Sequence, residues 1–153
     1  MKRIVLISCV SNKGTKKTKA KDLYKGPLFE SSLEFAISLK PDNIYILSAL
    51  HHLIELDKEI EPYNVTLSKP AKSKAKPSLK VLTPEEKNAW GKTVIEQLKL
   101  EADLVTDEIT FLASKAYIEP IEKFMNHTNI KKPLEGKKYG ERVKFMRDKS
   151  KLC

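Results

Sequence analysis

The sequence has few of the residues that build disulfides, metal centres and glycine-rich nucleotide loops. Its 153 residues include two cysteines, three histidines and five glycines, and these form no zinc spacing, P-loop or dinucleotide fingerprint. Cys9 and Cys153 make no disulfide framework, which favours a reducing compartment. We therefore expect no metal and no organic cofactor, and a location in a bacterial-type cytoplasm or a phage-infected one.

Long hydrophobic runs are missing as well. A helix that spans a membrane needs ~20 consecutive apolar residues, and no stretch of this length is present, so we expect no membrane partner. The apolar N-terminal stretch leads into Ser-Asn-Lys-Gly without a signal-type cleavage site, and we interpret it as a first strand. The length fits one domain over residues 1–153, and the sequence leaves the oligomeric state open.

Positive charge is abundant and concentrated in loops. The formal net charge is +9, and lysines crowd two segments, near residues 13–25 and 69–80, which we expect to be mobile. Exposed lysines contact phosphates in a salt-dependent, sequence-independent way. The alternative is that a lysine-rich proteome simply yields lysine-rich loops. The lysines we expect on a nucleic-acid surface are Lys16, Lys17, Lys72, Lys74 and Lys76.

Apolar periodicity predicts strands that alternate with helices. The predicted strands cover residues 3–8, 43–49 and 108–113. The predicted helices cover residues 28–39, 84–100, 118–125 and 139–149. The remaining segments are predicted as a long loop over 10–27, a short turn or helix over 50–57, an exposed mobile segment over 61–82, and a turn over 133–136. This order indicates a single three-layer α/β domain with a mostly parallel central sheet flanked by helices.

The start of the third helix is the clearest local signal. Thr83 is placed to cap the helix, Pro84 fits its first position, and Glu86 completes a capping box. The spacing along this helix turns Trp90, Val94 and Leu98 towards the core.

Polar side chains collect where the predicted strands end. In open α/β sheets, ligands bind in the loops at the carboxyl ends of the strands, so we expect a polar pocket there. The residues we expect to bind a ligand are Ser8, Cys9, Asn12, Lys13, Tyr24, Ser48, His52, Tyr63, Lys115 and Tyr117.

Each of these residue types has both a functional and a structural interpretation. Cys9 is a nucleophile if neighbours lower its pKa, and otherwise a buried packing residue. Asn12 suits a base edge and Lys13 a phosphate, unless both belong to an ordinary turn. The tyrosines suit stacking on a base, although aromatic residues most often fill a core.

Two residues are candidates for acid–base chemistry. His51 is able to act as an acid or base, or as an electrophile towards a base carbonyl, whereas the alternative is that one of His51 and His52 packs and the other is exposed. Glu61 precedes Pro62, whose rigid ring holds the turn. Its carboxylate suits orientation of water or stabilisation of an oxocarbenium-like sugar, or a purely structural or binding role.

Six short motifs follow one another over most of the chain. They are Ser8-Cys9, DLYKGPLF at 22–29, ILSALHHLI at 46–54, Glu61-Pro62-Tyr63, FLASKAY at 111–117 and PLEGKKYG at 133–140. In this order they resemble a family of small bacterial and phage proteins catalogued as a domain of unknown function. The chain departs from the family pattern in two places. It has Leu50-His51-His52 where members often carry Lys-Tyr/His-Gly, and Ala113-Ser114 where they usually have Ala-Gly.

That family is similar, more distantly, to peroxide-stress DNA-binding proteins of the YaaA type. It is also similar to a domain of archaeal RNA-modification enzymes, with an architecture like that of uracil-DNA glycosylases. The resemblance implies a nucleic-acid or nucleoside context. We therefore expect a protein that interacts with nucleic acid, DNA first, or with a nucleoside or nucleotide, and that acts as a glycosylase-like base-processing enzyme or as a non-catalytic DNA-binding module. A small-molecule hydrolase or transferase is a third interpretation.

Overall fold

The computed structural model describes residues 1–10, 13–68, 79–125 and 129–150. The helices are α1 (Ala20–Leu23), α2 (Pro27–Ser38), α3 (Pro84–Glu101), α4 (Lys115–Glu122) and α5 (Tyr139–Ser150). The strands are β1 (Arg3–Ser8), β2 (Thr18–Lys19), β3 (Asn43–Ser48), β4 (His52–Glu55), β5 (Glu59–Ile60), β6 (Val65–Thr66), β7 (Lys80–Val81), β8 (Glu108–Leu112) and β9 (Asn129–Lys131). Across these ranges no helix combines the length and hydropathy that a bilayer crossing requires.

Five strands form the central sheet in the order β4-β3-β1-β8-β9. β1 runs parallel to both of its neighbours, with Leu6 opposite Tyr45 on one side and Phe111 on the other. β9 continues the parallel pairing, and β4 runs antiparallel as the return strand of a hairpin. The apolar centre of β1 and all of β8 are buried because helices cover both faces of the sheet. The predicted α/β fold with a mostly parallel sheet flanked by helices is confirmed.

Two crossover connections run in opposite directions across the sheet. From β1 the chain passes through α2 to β3 on one side, and after the β3–β4 hairpin it passes through α3 to β8 on the other side of β1. Because parallel crossovers are right-handed, connections in opposite directions place their helices on opposite faces. Accordingly, α2 packs with α5, where the Phe35 and Phe145 rings meet at 5.9 Å, and α3 packs with α4.

The capping box of α3 forms as predicted. Thr83 Oγ1 accepts the Glu86 N–H at 3.2 Å, and Glu86 Oε1 accepts the Thr83 N–H at 3.1 Å. Trp90, Val94 and Leu98 are buried, so the predicted core face of this helix is also confirmed.

The short elements differ from prediction. Residues 50–57, predicted as a turn or helix, contain strand β4, and the predicted loop over 10–27 contains β2 and α1. Helix α4 begins at Lys115 rather than 118, and β9 was not predicted. Elements of two to four residues carry too little periodicity to be recognised, because pairing with distant strands decides their conformation.

The segment over 61–82, predicted to be exposed, is partly built into the fold. Tyr63 and Leu67 are buried, and β6 pairs with β7 in parallel. The many prolines and lysines of this segment favoured an exposed segment, so the burial of Tyr63 and Leu67 was not predicted. Residues 69–78, where mobility was predicted, lie outside the described residues.

Candidate functional site

β1 ends at the point where the sheet changes direction. The helix that follows β1 covers one face, whereas α4, which follows the adjacent β8, covers the other. In open α/β sheets the loops after two such strands diverge, and ligands bind in the crevice between them. Cys9 directly follows β1, and Tyr117 lies in the first turn of α4. These two residues therefore mark the expected ligand position in this sheet.

A chain of hydroxyl groups lies beside this end of β1. Ser48 Oγ, at the end of β3, donates to Tyr63 Oη at 2.8 Å, and Tyr63 Oη is 2.6 Å from Tyr24 Oη. The backbone N–H of His51 donates to Ser48 Oγ at 3.0 Å. Ser48 and both tyrosines are buried. Because buried hydroxyls must be paired, these bonds fix the positions of three loops relative to one another.

A second polar group joins the ends of β1 and β8. Cys9 Sγ donates to Tyr117 Oη at 3.3 Å, and Thr66 Oγ1 is 3.4 Å from the same hydroxyl. The Trp90 ring packs edge-on against Tyr117 with centroids 5.8 Å apart, and Trp90 Nε1 donates to the Ser48 carbonyl at 2.9 Å. Trp90 thus connects this group with the hydroxyl chain.

Lys13 brings an amine to the same place. A β-bridge joins its backbone to Tyr24. Its Nζ lies 4.4 Å from the centroid of the Tyr63 ring and 5.8 Å from that of Tyr24. We define the strand-end cluster as Cys9, Lys13, Tyr24, Ser48, Tyr63 and Tyr117. All six residues were predicted as ligand-binding from the sequence, and the structure brings them together.

Burial controls the protonation of the strand-end cluster. It raises the pKa of all three tyrosines, Tyr24, Tyr63 and Tyr117, far above the usual phenol value, because a phenolate would be poorly hydrated there. Burial also lowers the pKa of Lys13. The phenols therefore remain neutral at physiological pH and act through hydrogen bonds and ring faces.

The two adjacent histidines border the cluster in different ways. The His51 ring meets the Tyr63 ring edge-on at 5.4 Å, and its buried Nε2 has no hydrogen-bond partner among the described residues. Burial, followed by the charges of His52 and Lys58, lowers the pKa of His51, so its imidazole is neutral at pH 7. His52 pairs with Ser48 in the β-hairpin and has a φ of +66°, a conformation that favours glycine. Burial lowers its pKa too.

Three other predicted site residues lie at the margin of the cluster or away from it. Ser8 ends β1 and is half-buried. Lys115 begins α4, but it is exposed and pairs with Glu119 at 3.3 Å. Glu61 is exposed, and in the described part of the chain its carboxylate makes no hydrogen bond or ion pair. The catalytic role of Glu61 therefore stays a prediction, without a contact that connects it to the cluster.

The predicted nucleic-acid surface is described only in part. Lys16 and Lys17 are exposed in the loop that follows Lys13. Asn12 lies outside the described residues, as do the three lysines of the other segment, Lys72, Lys74 and Lys76. Their roles stay predictions.

Two residues contribute to the site that were not predicted as site residues from the sequence. Thr66 lies in a segment predicted to be exposed, and nothing in its local sequence indicates a contact with Tyr117. Trp90 was predicted as a core residue, which it is. A buried indole N–H needs a hydrogen-bond acceptor. The predicted burial of Trp90 therefore indicated a nearby acceptor, but it did not identify the Ser48 carbonyl.

Other parts of the described structure offer less for binding chemistry. An open depression of about 650 Å³ lies at the amino end of β1, near Lys2 and Asp107, and contains none of the predicted site residues. Among residues 1–10, 13–68, 79–125 and 129–150, no group of three or more histidine, cysteine, aspartate or glutamate side chains is placed to hold a metal ion.

Comparison with known proteins identifies a family but not an activity. Neither the curated proteins nor the solved structures provide a match to this chain. A family model does match residues 4–148, which include the whole strand-end cluster. The chain therefore belongs to a family of unknown function (DUF6884).

Proposed function

We propose that this protein binds nucleic acid, with DNA as the expected partner, and that the strand-end cluster receives a nucleoside of that nucleic acid. One observation carries the proposal: Cys9, Ser48 and Tyr117, which lie at or after the carboxyl ends of three parallel strands, converge beside two further tyrosines where the sheet changes direction. Sites of this topology bind ligands, and tyrosine rings are common surfaces for nucleobases.

The cluster has a buried floor and a more accessible margin. Tyr24, Ser48 and Tyr117 are buried, whereas Ser8, Lys13 and His51 are half-buried. The floor is held by its own hydrogen bonds, so a ligand would first meet the half-buried hydroxyl, amine and imidazole of the margin. These groups suit the polar edge and flat face of a base.

The exposed lysines supply the phosphate contacts in this proposal. Lys16 and Lys17 are exposed three and four residues after Lys13, and the predicted surface continues with Lys72, Lys74 and Lys76. Each lysine–phosphate contact releases condensed counterions, so binding should weaken as salt rises. The proposal also includes two expectations from the sequence: a distant similarity to YaaA-type DNA-binding proteins and a cytoplasmic location.

A glycosylase-like activity is the second candidate, and His51 favours it. A neutral imidazole with an unpartnered Nε2 beside Tyr63 is suited to accept a proton from an attacking water. The exposed Glu61 is less well placed. If release of the nucleobase is lost in His51→Gln but kept in Glu61→Gln, the general base is His51. The opposite pattern would make Glu61 the general base. A folded protein that binds without releasing base would be the non-catalytic module.

Fluorescence anisotropy tests the proposal, with labelled single- and double-stranded DNA and RNA at low and physiological salt. We expect tight binding at low salt that weakens as salt rises. The triple variant Lys72→Ala, Lys74→Ala, Lys76→Ala should bind more weakly, with the salt slope reduced by about 0.7–0.9 for each lost contact.

The matched control removes the same charge from helix α3, in the triple variant Lys87→Ala, Lys92→Ala, Lys99→Ala. It should keep both the affinity and the salt slope of the natural protein. Equal losses in both triple variants would show that net charge, rather than a defined surface, governs binding. No binding of any nucleic acid at low salt would reject the proposal.

A further inference from the structure

Lys13 is the one amine of the strand-end cluster, and the aromatic rings below it distinguish it from the exposed lysines of the same loop. Its backbone is held by the bridge to Tyr24, and the Gly14 N–H donates to the Leu23 carbonyl at 2.8 Å one residue later. The Nζ lies 4.4 Å from the Tyr63 ring centroid. The amine is thus positioned by the fold rather than carried on a free loop.

The surroundings of this amine favour its uncharged form. Burial lowers the pKa of Lys13, with the Cys9 sulfur opposing the change. The Tyr24 and Tyr63 phenols stay neutral and contribute no negative charge, while their ring faces favour the ammonium and limit the decrease. The fraction of neutral amine at pH 7–8 is therefore larger than for an exposed lysine, and only the neutral amine is a nucleophile.

A phosphate is a poor fit for this position, although phosphate binding was predicted for Lys13. A phosphate anion would have to lose water against two apolar ring faces, and desolvation of a charge is costly unless several donors replace the water. A sugar fits better, since it carries no charge and loses less on leaving water. The carbon that a desolvated lysine attacks most readily is that of an aldehyde.

We propose that Lys13 forms an imine with the aldehyde of a base-free sugar bound at the strand-end cluster. The Nζ lone pair bonds to the carbonyl carbon, the two amine hydrogens leave with the carbonyl oxygen as water, and a carbon–nitrogen double bond remains. No oxidant or reductant is needed. The inference rests on the proposed function, because hydrolytic loss of a base from a nucleoside leaves a hemiacetal at the anomeric carbon, and the ring-opened form of that hemiacetal is such an aldehyde.

Reductive trapping tests this inference. The full chain is incubated with sodium cyanoborohydride and one of three probes: an oligonucleotide with an abasic site, free 2-deoxyribose 5-phosphate, or the same oligonucleotide undamaged. Mass spectrometry then counts adducts and peptide mapping locates them. We expect one adduct at Lys13 with at least one aldehyde probe and none with undamaged DNA. Capture of the oligonucleotide identifies nucleic acid as the source of the sugar, and capture of the sugar phosphate alone identifies a small molecule.

Three variants make the result specific. Lys13→Arg keeps the charge over the Tyr63 ring but cannot form an imine, so it should lose the adduct while retaining its thermal unfolding profile. Lys13→Ala should lose it as well, and Lys92→Arg on the outer surface of α3 should trap as the natural protein does. The trapping rate should also reach its plateau at a lower pH than the reaction of exposed lysines.

The inference is overturned if neither aldehyde is trapped, or if Lys13→Arg traps as well as the natural protein. These outcomes are separate from the binding experiment. Salt-dependent binding of undamaged DNA without trapping would reject only the imine. Trapping of the sugar phosphate at Lys13 without nucleic-acid binding would reject only the proposed function.

Discussion

Gly91 in α3 lies against the backbone of Pro120 in α4 so closely that a methyl group at position 91 would overlap the Pro120 carbonyl. These two helices, which carry Trp90 and Tyr117, pack on the same face of the sheet. Gly91→Ala should therefore push the helices apart and lower the free energy of unfolding by ~1–3 kcal/mol, the usual cost of overpacking. In a domain of this size, each 1 kcal/mol lowers Tm by roughly 2–4 °C.

Gly140→Ala is the matched control, because, apart from neighbouring backbone of α5 itself, no atom of the described residues lies within 4 Å of a methyl group built at this position. Alanine has the higher helix propensity, so this variant should be neutral or stabilised by up to about 1 kcal/mol. Urea denaturation of both variants measures the difference. Equal stability of Gly91→Ala and the natural protein would show that the helices can separate without cost.

Tyr63 is the central member of the hydroxyl chain, because its Oη meets both Ser48 and Tyr24. Tyr63→Phe leaves two buried hydroxyls without this partner, which should cost ~1–3 kcal/mol. Tyr24→Phe should cost less by itself, and little more when Tyr63 is already phenylalanine. A double-mutant cycle by urea denaturation should therefore give a coupling energy of about 0.5–3 kcal/mol between the two tyrosines.

The control for this cycle is Tyr139→Phe, at a tyrosine that is 55% exposed. It should change stability by no more than ~0.5 kcal/mol. Additive costs for Tyr63→Phe and Tyr24→Phe would contradict a shared hydrogen-bond network.

Asp107 makes stability depend on pH. Its carboxylate accepts the Lys2 N–H at 2.7 Å and the Asp103 N–H at 2.8 Å, and these bonds lower the pKa of Asp107. A group with a lowered folded-state pKa stabilises the fold above its unfolded pKa and loses that contribution as pH falls through the folded value. Asp107→Asn should therefore be less stable at pH 7, and its deficit relative to the natural protein should shrink below about pH 4.

Urea denaturation at pH 7 and pH 3 checks this expectation. Asp22→Asn is the control, because Asp22 is exposed and its carboxylate makes no hydrogen bond to another described residue. At pH 7 its stability should differ from that of the natural protein by no more than ~0.5 kcal/mol. A constant deficit for Asp107→Asn would assign its role to packing rather than to charge.

Sequence patterns were sufficient for the long elements of this fold. The run from Ile4 to Ile7 is apolar without interruption, so it indicated a strand covered on both faces, and Thr83 with Glu86 marked the start of α3 within one residue. β5 and β9 have no such pattern, since two or three residues define neither an alternating nor a helical period. Their conformation comes from strands that are distant in the sequence.

The site was predictable where topology decides it. Cys9 and Ser48 follow parallel neighbours, so they had to lie at the same edge of the sheet. The bond between Tyr24 and Tyr63 was not predictable, because it joins hydroxyls 39 residues apart in irregular segments. Glu61 lies two residues from the buried Tyr63, but its side chain faces solvent, so closeness in the sequence did not decide which way the side chain points.

During synthesis, β1 is translated well before β8, the strand that pairs with one of its edges. Arg3 lies opposite Glu108, 105 residues further along the chain, and a ribosome adds about 5–20 residues each second. The central strand is therefore made roughly 5–20 s before its second neighbour, and one of its edges stays unpaired for that time. The crevice at its carboxyl end cannot form earlier, because Tyr117 is translated later still. A growing chain of this protein thus exposes a strand edge with unpaired backbone N–H and C=O groups well before its binding site can form.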